Sequence, residues 1–183
     1  MSSSHEYYQD NKDDIIKLSS KTQLKEFRLS TPGILSEKDI ETAKDVLEAY
    51  RKRSTCSRLK VGAIIIRDGR VVSTGWNGVA KGKLHCDKIH KPAELMTEEE
   101  RLEHHKFSNE HEHHAEQNAI GFAAKYGTPT DGTVMMCSVS PCSGCAKLIK
   151  TAGIKEVYYE IVYDRSNEGL KYLEANGVRT YKI

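Results

Sequence analysis

The fold is decided by residues 132–152, whose sequence is GTVMMCSVSPCSGCAKLIKTA. The β-prone, largely apolar first part predicts a buried strand over 132–139, and the second part predicts a helix over 142–152. The proline between them suits a helix start, because proline lacks the N–H group that the first turn leaves unbonded. Cys142 and Cys145 are one helical turn apart, so their sulfur atoms should face the same point in space.

The alternation of strand and helix continues to the C-terminus and predicts an α/β sandwich. A strand is predicted over 156–163, a helix over 166–176 and a last strand over 178–183. Because crossover connections of this kind are right-handed, the strands from residue 132 onward should lie parallel to one another.

The N-terminal half adds a helix and a hairpin to this sandwich. Ser36 followed by Asp39 resembles a helix N-terminus, and apolar residues at helical spacing predict a helix that ends near Arg53. Asp68-Gly69 predicts a tight turn between strands 61–66 and 70–74. With a further helix over 115–126, the sequence predicts three α/β/α layers around a mixed five-stranded sheet.

Composition predicts a single cytoplasmic domain. The chain has 183 residues, a formal net charge of +2 and five cysteines. This charge provides no strong field for nucleic acid or an anionic membrane, and no apolar run has the length of a signal or membrane segment. The odd number of cysteines favours metal ligation over disulfides. We expect one domain over 36–183 and an extension over 1–35, which is either loosely ordered or an arm that packs on a neighbouring subunit.

A second motif, His114-Ala115-Glu116, contains a histidine that can bind a metal ion together with the two cysteines and a carboxylate that can transfer protons. Residues two apart in a helix point about 200° apart, so this motif should occupy the first turn of its helix, where both side chains reach one space. One histidine and two cysteines leave an open position on a tetrahedral zinc ion, as in catalytic zinc sites. Glu116 is then predicted to shuttle protons between zinc-activated water and substrate. The pattern predicts hydrolytic deamination with release of ammonia.

A redox dithiol and a structural zinc site both fit the cysteine pair less well. A redox dithiol does not require His114 or Glu116. A structural zinc site normally has four protein ligands, whereas only three converge here. His-x-Glu followed by Pro-Cys-x-x-Cys is the established signature of zinc-dependent nucleobase deaminases. Cys137 lies inside the strand over 132–139 and is interpreted as a small core residue.

A long polar segment over 79–112 separates the hairpin from the second motif. It contains Cys86 and five histidines, and long connections in compact domains are usually functional or disordered. The clustered cysteine and histidine residues favour a functional insertion, within which residues 98–106 predict a short solvated helix. Asn77 precedes this segment between two glycines, and its sequence context fits either a ligand contact or a simple turn residue.

Beyond these motifs, residues 40–181 resemble the deoxycytidylate (dCMP) deaminases, particularly the phage-encoded members of that family. The resemblance rests on five blocks: Cys56-Ser57 to Lys60-Val61-Gly62-Ala63-Ile64, Gly75-Trp76-Asn77-Gly78, His114-Ala115-Glu116-Gln117-Asn118-Ala119-Ile120, Ser140-Pro141-Cys142-Ser143-Gly144-Cys145-Ala146-Lys147-Leu148-Ile149 and Ala152-Gly153-Ile154-Lys155-Glu156-Val157. It implies a sandwich of the cytidine-deaminase type and the conversion of dCMP to dUMP and ammonia, which supplies dUMP for thymidylate synthesis.

The resemblance also implies a role for individual residues. The catalytic zinc would be bound by three of them, with Glu116 as the proton shuttle: His114, Cys142 and Cys145. A second zinc would be bound by four more, for which His85 and His111 are possible substitutes: Cys56, Cys86, His104 and Glu112. Substrate contacts are implied for three others, the last of which stands where phage relatives can have arginine: Asn77, Tyr163 and Lys125.

Assembly and regulation are implied by the resemblance alone. Similar enzymes form hexamers that dCTP activates and dTTP inhibits, with Mg²⁺ on the triphosphate. The implied effector site includes a segment in which tryptophan replaces the usual tyrosine: Gly75, Trp76, Asn77 and Gly78. Two alternatives stay open, a deaminase acting on a nucleoside or single-stranded nucleic acid and a catalytically silent nucleotide-binding assembly module. The low net charge and few aromatic residues disfavour nucleic acid, and the presence of Glu116 disfavours a silent module.

Overall fold

A mixed five-stranded sheet forms the centre of this computed structural model, which describes residues 33–163 and 167–183. The strands are β1 (Gly62–Arg67), β2 (Arg70–Trp76), β3 (Gly78–Val79), β4 (Glu112–His113), β5 (Val134–Val139), β6 (Glu156–Ile161) and β7 (Arg179–Lys182). The central sheet has the order β2-β1-β5-β6-β7, and β3 pairs with β4 in a separate ribbon. β1 is antiparallel to both neighbours, whereas β5, β6 and β7 are parallel. The predicted mixed sheet is therefore confirmed.

Helices cover both faces of this sheet. The helices of the described ranges are α1 (Glu37–Arg51), α2 (Glu98–His111), α3 (Ala115–Lys125), α4 (Ser143–Thr151) and α5 (Glu168–Ala175). α1 packs on one face, and α3, α4 and α5 contribute to the core on the other face, which confirms the three layers. In the described part of the chain, no helix has both the length and the apolar character needed to cross a membrane.

The core follows from the period-two alternation of the buried strands. In β1, Ile64 and Ile66 pack towards α1, while Ala63 and Ile65 pack towards α3 and α4. A strand covered on both faces is expected to be apolar throughout, and the first five residues of β1 are buried. Cys137 is fully buried in β5 among the residues below α3 and α4, which confirms its interpretation as a core residue.

The start of α1 agrees with its sequence pattern. The Ser36 side chain accepts a hydrogen bond from the Asp39 backbone, and the Asp39 side chain bonds back to the Ser36 backbone, which completes a capping box. Just before it, Leu35 is buried in the core, and the Ile34 N–H donates to Glu156 Oε2 at 2.8 Å. Glu156 is itself fully buried and forms an ion pair with Arg179. The chain is therefore joined to the sheet from Ile34 onward. The rest of the predicted extension, up to residue 32, lies outside the described residues.

The insertion is more structured than the sequence predicts. Two short 3-10 helices, Cys86–Lys88 and Ala93–Leu95, precede α2. α2 extends five residues beyond its predicted end and is not wholly solvated, because His104 is 97% buried within it. The pairing of Gly78 with His113 then brings the two ends of the insertion together.

Candidate active site

Three potential metal ligands meet at the starts of two neighbouring helices. His114 is the N-cap residue of α3, and Cys142 is the N-cap residue of α4. His114 Nδ1 lies 3.6 Å from Cys142 Sγ and 3.3 Å from Cys145 Sγ. The predicted position of the histidine motif at a helix start is therefore confirmed, and the sequence spacing of the two cysteines places both sulfurs beside one imidazole nitrogen.

These distances fit a zinc ion. Zinc binds histidine nitrogen at about 2.0–2.1 Å and cysteine sulfur at about 2.3 Å, so tetrahedral coordination separates a nitrogen ligand from a sulfur ligand by about 3.6 Å. The two measured N···S distances lie close to that value, and the three donor atoms all lie within 4.8 Å of one another. The donor set and its geometry both match a catalytic zinc site with one open position.

The electrostatics of the three ligands favour a bound cation. The pKa of Cys142 is lowered to about 3, first because of its hydrogen bond with Cys145 and then because of its bond with His114. The same pairing raises the pKa of Cys145, and the bond with Cys142 raises the pKa of His114. The lowered pKa of Cys142 favours its thiolate form, which is the form that binds zinc.

Glu116 lies next to this ligand set and lines the same cleft. It is the second residue of α3 and is only 4% exposed. Burial is the main cause that raises the pKa of its carboxyl group above the ordinary value. A carboxyl group whose pKa moves towards neutrality is well suited to both accept and release a proton.

A cleft that opens to solvent lies beside these residues. Its walls include Arg58, Asn77, Ser140 and Tyr163. Sites for small ligands are commonly concave and place a few polar groups on otherwise apolar walls. The structure therefore brings two of the three predicted substrate residues, Asn77 and Tyr163, to one cleft with Glu116.

Asn77 is held in a defined orientation. Its Oδ1 accepts hydrogen bonds from Ser54 Oγ at 2.6 Å and from the Val61 N–H at 2.8 Å, and its Nδ2 donates to the Leu59 carbonyl at 2.9 Å. Because the Val61 amide can only donate, the side-chain oxygen and nitrogen are assigned without ambiguity. Asn77 is therefore more than a turn residue, since its side chain joins the loop before β1 to the end of β2 and lines the cleft.

The other two predicted substrate residues have different positions. The Tyr163 N–H donates to Ser140 Oγ at 2.8 Å, which holds the segment after β6 beside the cleft. Lys125 lies outside the cleft lining, in the last turn of α3, with its Nζ 5.5 Å from the centre of the Tyr126 ring. Arg58, which was not among the predicted site residues, does line the cleft. The one sequence signal for Arg58 is its position inside the Cys56–Ile64 block, which resembles the dCMP deaminases.

Comparisons with known proteins agree with this site. The family model "Cytidine and deoxycytidylate deaminase zinc-binding region" matches residues 36–161. The chain belongs to this family. Among its relatives is the deoxycytidylate deaminase of Enterobacteria phage T2, which is 33% identical over 160 residues, covering 72% of this chain and 85% of the relative. ComE operon protein 2 of Bacillus subtilis is 37% identical over 131 residues, covering 72% and 64%.

A solved structure gives a similar result for the fold of this deaminase. The dCMP deaminase of cyanophage S-TIM5, crystallised in complex with dCMP and dUMP, superimposes with a TM-score of 0.68. It is 33% identical, and the match covers 81% of this chain and 99% of the cyanophage chain. The cytidine-deaminase type of sandwich is therefore confirmed.

A second group of ligands lies beside the active site of the deaminase. The donor atoms of Cys56, Cys86 and His104 lie within 4.8 Å of one another, and Cys56 Sγ is 3.6 Å from His104 Nε2. This N···S distance again equals the value of about 3.6 Å for tetrahedral zinc. The pKa of Cys86 is lowered to about 7, chiefly by its hydrogen bond with Cys56, while that bond raises the pKa of Cys56.

Glu112, the fourth predicted ligand, is not in the group whose donor atoms lie within 4.8 Å of one another, but it lines the same cleft as Cys56 and His104. Its side chain is 91% buried, its Oε2 accepts a hydrogen bond from Ser108 Oγ at 2.8 Å, and its Oε1 has no partner among the described residues. The substitutes suggested by the sequence lie elsewhere. His85 is exposed beside Thr55, and the His111 side chain is 57% exposed next to a neighbouring glutamate. The donor atoms of Cys56, Cys86 and His104 fit a second zinc ion, and the unpartnered carboxylate oxygen of Glu112 is a candidate for its fourth ligand.

The segment implied as an effector site has an aromatic centre. The Trp76 ring stacks on the Tyr50 ring with 6.1 Å between their centres, and the Arg53 guanidinium lies 4.4 Å from the Trp76 ring centre. The Trp76 carbonyl accepts a hydrogen bond from Asn118 Nδ2 of α3 at 2.7 Å. This segment is therefore in direct contact with the helix that presents His114 and Glu116.

Proposed function

We propose that this deaminase converts dCMP to dUMP and ammonia and so supplies dUMP for thymidylate synthesis. The observation on which this rests is the cleft in which a zinc-type ligand set, His114, Cys142 and Cys145, lies beside the buried Glu116. The choice of dCMP is supported by the relatives of the chain, because the cyanophage enzyme was crystallised with dCMP and dUMP.

The chemistry divides between the metal and the side chains. When bound by His114, Cys142 and Cys145, zinc supplies the Lewis acidity that makes water nucleophilic at neutral pH. Glu116 accepts one proton from this water as the C4–O bond forms and delivers it to the N3 atom of the cytosine ring. It then transfers the proton of the new hydroxyl group to the amino group, and the C4–N bond breaks to release ammonia. Burial raises the pKa of the Glu116 carboxyl group above its ordinary value, which favours acceptance of the first proton.

The walls of the cleft account for the choice of a nucleotide. One N–H of the Asn77 side chain donates to the Leu59 carbonyl in the loop before β1. The second N–H is assigned to the deoxyribose. Tyr163 supplies an aromatic ring to the cleft wall. Arg58 supplies a guanidinium group, whose geometry suits a phosphate better than any other side chain. We assign the 5′-phosphate contact to Arg58 in preference to Lys125, because Lys125 does not line the cleft.

Regulation and assembly are part of the same proposal. The resemblance to regulated hexameric enzymes supports a homohexamer with dCTP as activator, dTTP as inhibitor and Mg²⁺ on the triphosphate. Within the implied segment Gly75–Gly78, Trp76 supports such a site, because its ring groups with Tyr50 and the Arg53 cation and its carbonyl contacts the catalytic helix. Under this proposal, Cys56, Cys86, His104 and Glu112 bind a second zinc ion that stabilises the insertion.

The decisive experiment measures ammonia release from dCMP, deoxycytidine and a cytosine-containing oligonucleotide. Each substrate is tested alone, with dCTP and Mg²⁺, and with dTTP. Activity confined to dCMP, raised by dCTP and lowered by dTTP, is the expected result. Activity on deoxycytidine or the oligonucleotide, with none on dCMP, would overturn the assignment of dCMP as the substrate. The proposed zinc-dependent deamination would still stand. Activity on dCMP without any response to the triphosphates would overturn the regulatory part alone.

A further inference from the structure

Strand β2 lies directly against the first two turns of the catalytic helix α3, at Gly75. A Cβ atom at residue 75 would lie 2.2 Å from the carbonyl oxygen of Ala115 and 2.4 Å from the amide nitrogen of Ala119. Non-bonded heavy atoms are in favourable contact at about 3.5–4.0 Å, so even a methyl group would push strand and helix apart by more than about 1 Å. The φ angle of Gly75 is not positive, and the requirement for glycine is therefore one of space.

Two hydrogen bonds hold the strand and helix at this close distance. The Ser73 hydroxyl donates to the carbonyl of Ala119 at 2.7 Å in a buried position. Asn118 Nδ2 donates in the opposite direction, to the carbonyl of Trp76, also at 2.7 Å. These bonds lie on either side of Gly75 along β2, so the helix is fixed against both sliding and rotation.

The peptide that Gly75 touches is the one from which the proton shuttle projects. The Ala115 carbonyl group belongs to the peptide unit that precedes Glu116, and His114 is the N-cap residue of the same helix. The two cysteines, in contrast, begin a different helix, α4. The distance between Glu116 and the cysteine sulfurs therefore depends on where α3 sits on β2.

We propose that Gly75, Ser73 and Asn118 are positioning residues that fix the start of α3, and with it Glu116, relative to the two cysteines of α4. None of the three acts on the substrate itself. The resemblance assigns Gly75 to an effector site, but a side chain at this residue would project into α3, so its role is to allow the close contact between β2 and α3. This inference rests on the proposed function only in its kinetic test, which requires that the protein deaminates dCMP.

Gly75→Ala, Ser73→Ala and Asn118→Ala are the test variants, and Gly121→Ala is the matched control. Gly121 also lies in α3, but a Cβ atom there would meet nothing within 4 Å. A misplacement of about 1 Å costs about 100-fold in rate, so kcat for dCMP should fall about 100-fold in Gly75→Ala. The two hydrogen-bond variants should each lose roughly fivefold, the factor of one ordinary hydrogen bond. KM should change less than kcat, because Asn77 keeps its own hydrogen bonds to Ser54, Leu59 and Val61.

Two measurements test the junction without any substrate. Trp76 is the single tryptophan of the chain. Its fluorescence emission reports the surroundings of its indole ring beside Tyr50 and Arg53, and should change when loss of the Asn118 bond lets the Trp76 backbone move. Hydrogen exchange of residues 115–120 should be faster in all three test variants. It should not be faster in Gly121→Ala, because alanine stabilises a helix interior relative to glycine. If the wild-type protein proves inactive on dCMP, these two measurements still decide the positioning role.

The outcomes that would overturn the proposal are specific. A folded Gly75→Ala protein with wild-type kcat and wild-type exchange in α3 would refute it. An equal loss of kcat in Gly121→Ala would also refute it, since the effect would then not arise at the junction. If Gly75→Ala fails to fold, the two milder variants decide: unchanged kcat and unchanged exchange in both would refute the positioning role.

Discussion

Gly169 of α5 lies directly against the carbonyl group of Pro141, the residue that precedes the first cysteine ligand. A Cβ atom at residue 169 would be 1.9 Å from the Pro141 oxygen and 2.9 Å from the carbonyl carbon of Cys142. α5 therefore supports the turn that places Cys142 and Cys145, and it does so through a contact that leaves no room for a side chain. The φ angle of Gly169 is not positive, so the restriction again comes from space.

Gly169→Ala should loosen the catalytic metal site. The added methyl group must displace the Pro141–Cys142 turn or α5 by more than about 1 Å, which should cost about 100-fold in kcat and about 1–3 kcal/mol in the free energy of unfolding. Zinc release to a chelator should be faster than in the wild-type protein. Gly121→Ala adds the same methyl group in open space and should retain wild-type kcat and zinc. Equal behaviour of the two variants would show that the contact has no effect on the site.

Glu116→Gln should abolish turnover and leave the fold and zinc content unchanged. Glutamine keeps the size of the buried side chain but cannot carry a proton, and general acid–base groups contribute about 10²–10⁴-fold in rate. kcat is measured by ammonia release, zinc by elemental analysis and stability by thermal unfolding. Glu110→Gln changes an exposed carboxylate of α2 and serves as the control. Loss of the fold in Glu116→Gln would mean that Glu116 has a structural role instead.

Much of the fold was predictable because strands and helices differ in the period of their apolar residues. The runs in β1 and β5 are largely apolar, since both faces of these central strands are covered, and the turn at Asp68-Gly69 identifies the hairpin. The end of α2 was not predictable in this way. α2 has no apolar stripe that shows its length, and it ends where Glu112 begins to pair with β3, a contact that depends on the tertiary structure.

The candidate metal group of His114, Cys142 and Cys145, which the structure brings together, was predictable because its pattern is local in sequence. Cys142 and Cys145 need only a shared helix start, and His114 is recognisable from the glutamate two residues later. Arg58 and Gly169 had no comparable pattern. Arg58 reaches the cleft only because the loop before β1 folds beside it, and Gly169 matters only because α5 packs on a turn far from it in the sequence.

Arg58→Gln should reduce the preference for the nucleotide over the nucleoside. A hydrogen bond to a charged group contributes about 1.5–3 kcal/mol, so kcat/KM for dCMP should fall about 10- to 100-fold, while kcat/KM for deoxycytidine should stay the same. Lys125→Gln removes a positive charge that lies outside the cleft. It should leave kcat/KM unchanged for both dCMP and deoxycytidine. The reverse result, with Lys125→Gln showing the selective loss, would assign the phosphate contact to Lys125.

The two ligand groups should bind two zinc ions per chain, one at each cluster. Cys142→Ser should lose one ion and all activity, because sulfur is replaced in the catalytic group. Cys86→Ser should lose the other ion and only part of the activity, since the second cluster supports one wall of the cleft through Cys56, His104 and Glu112 but does not include Glu116 or a ligand of the catalytic group. Elemental analysis and kcat test both variants. Cys137→Ala changes a buried cysteine outside both clusters and should retain both ions. If Cys86→Ser retained two zinc ions, the second cluster would not be a metal site.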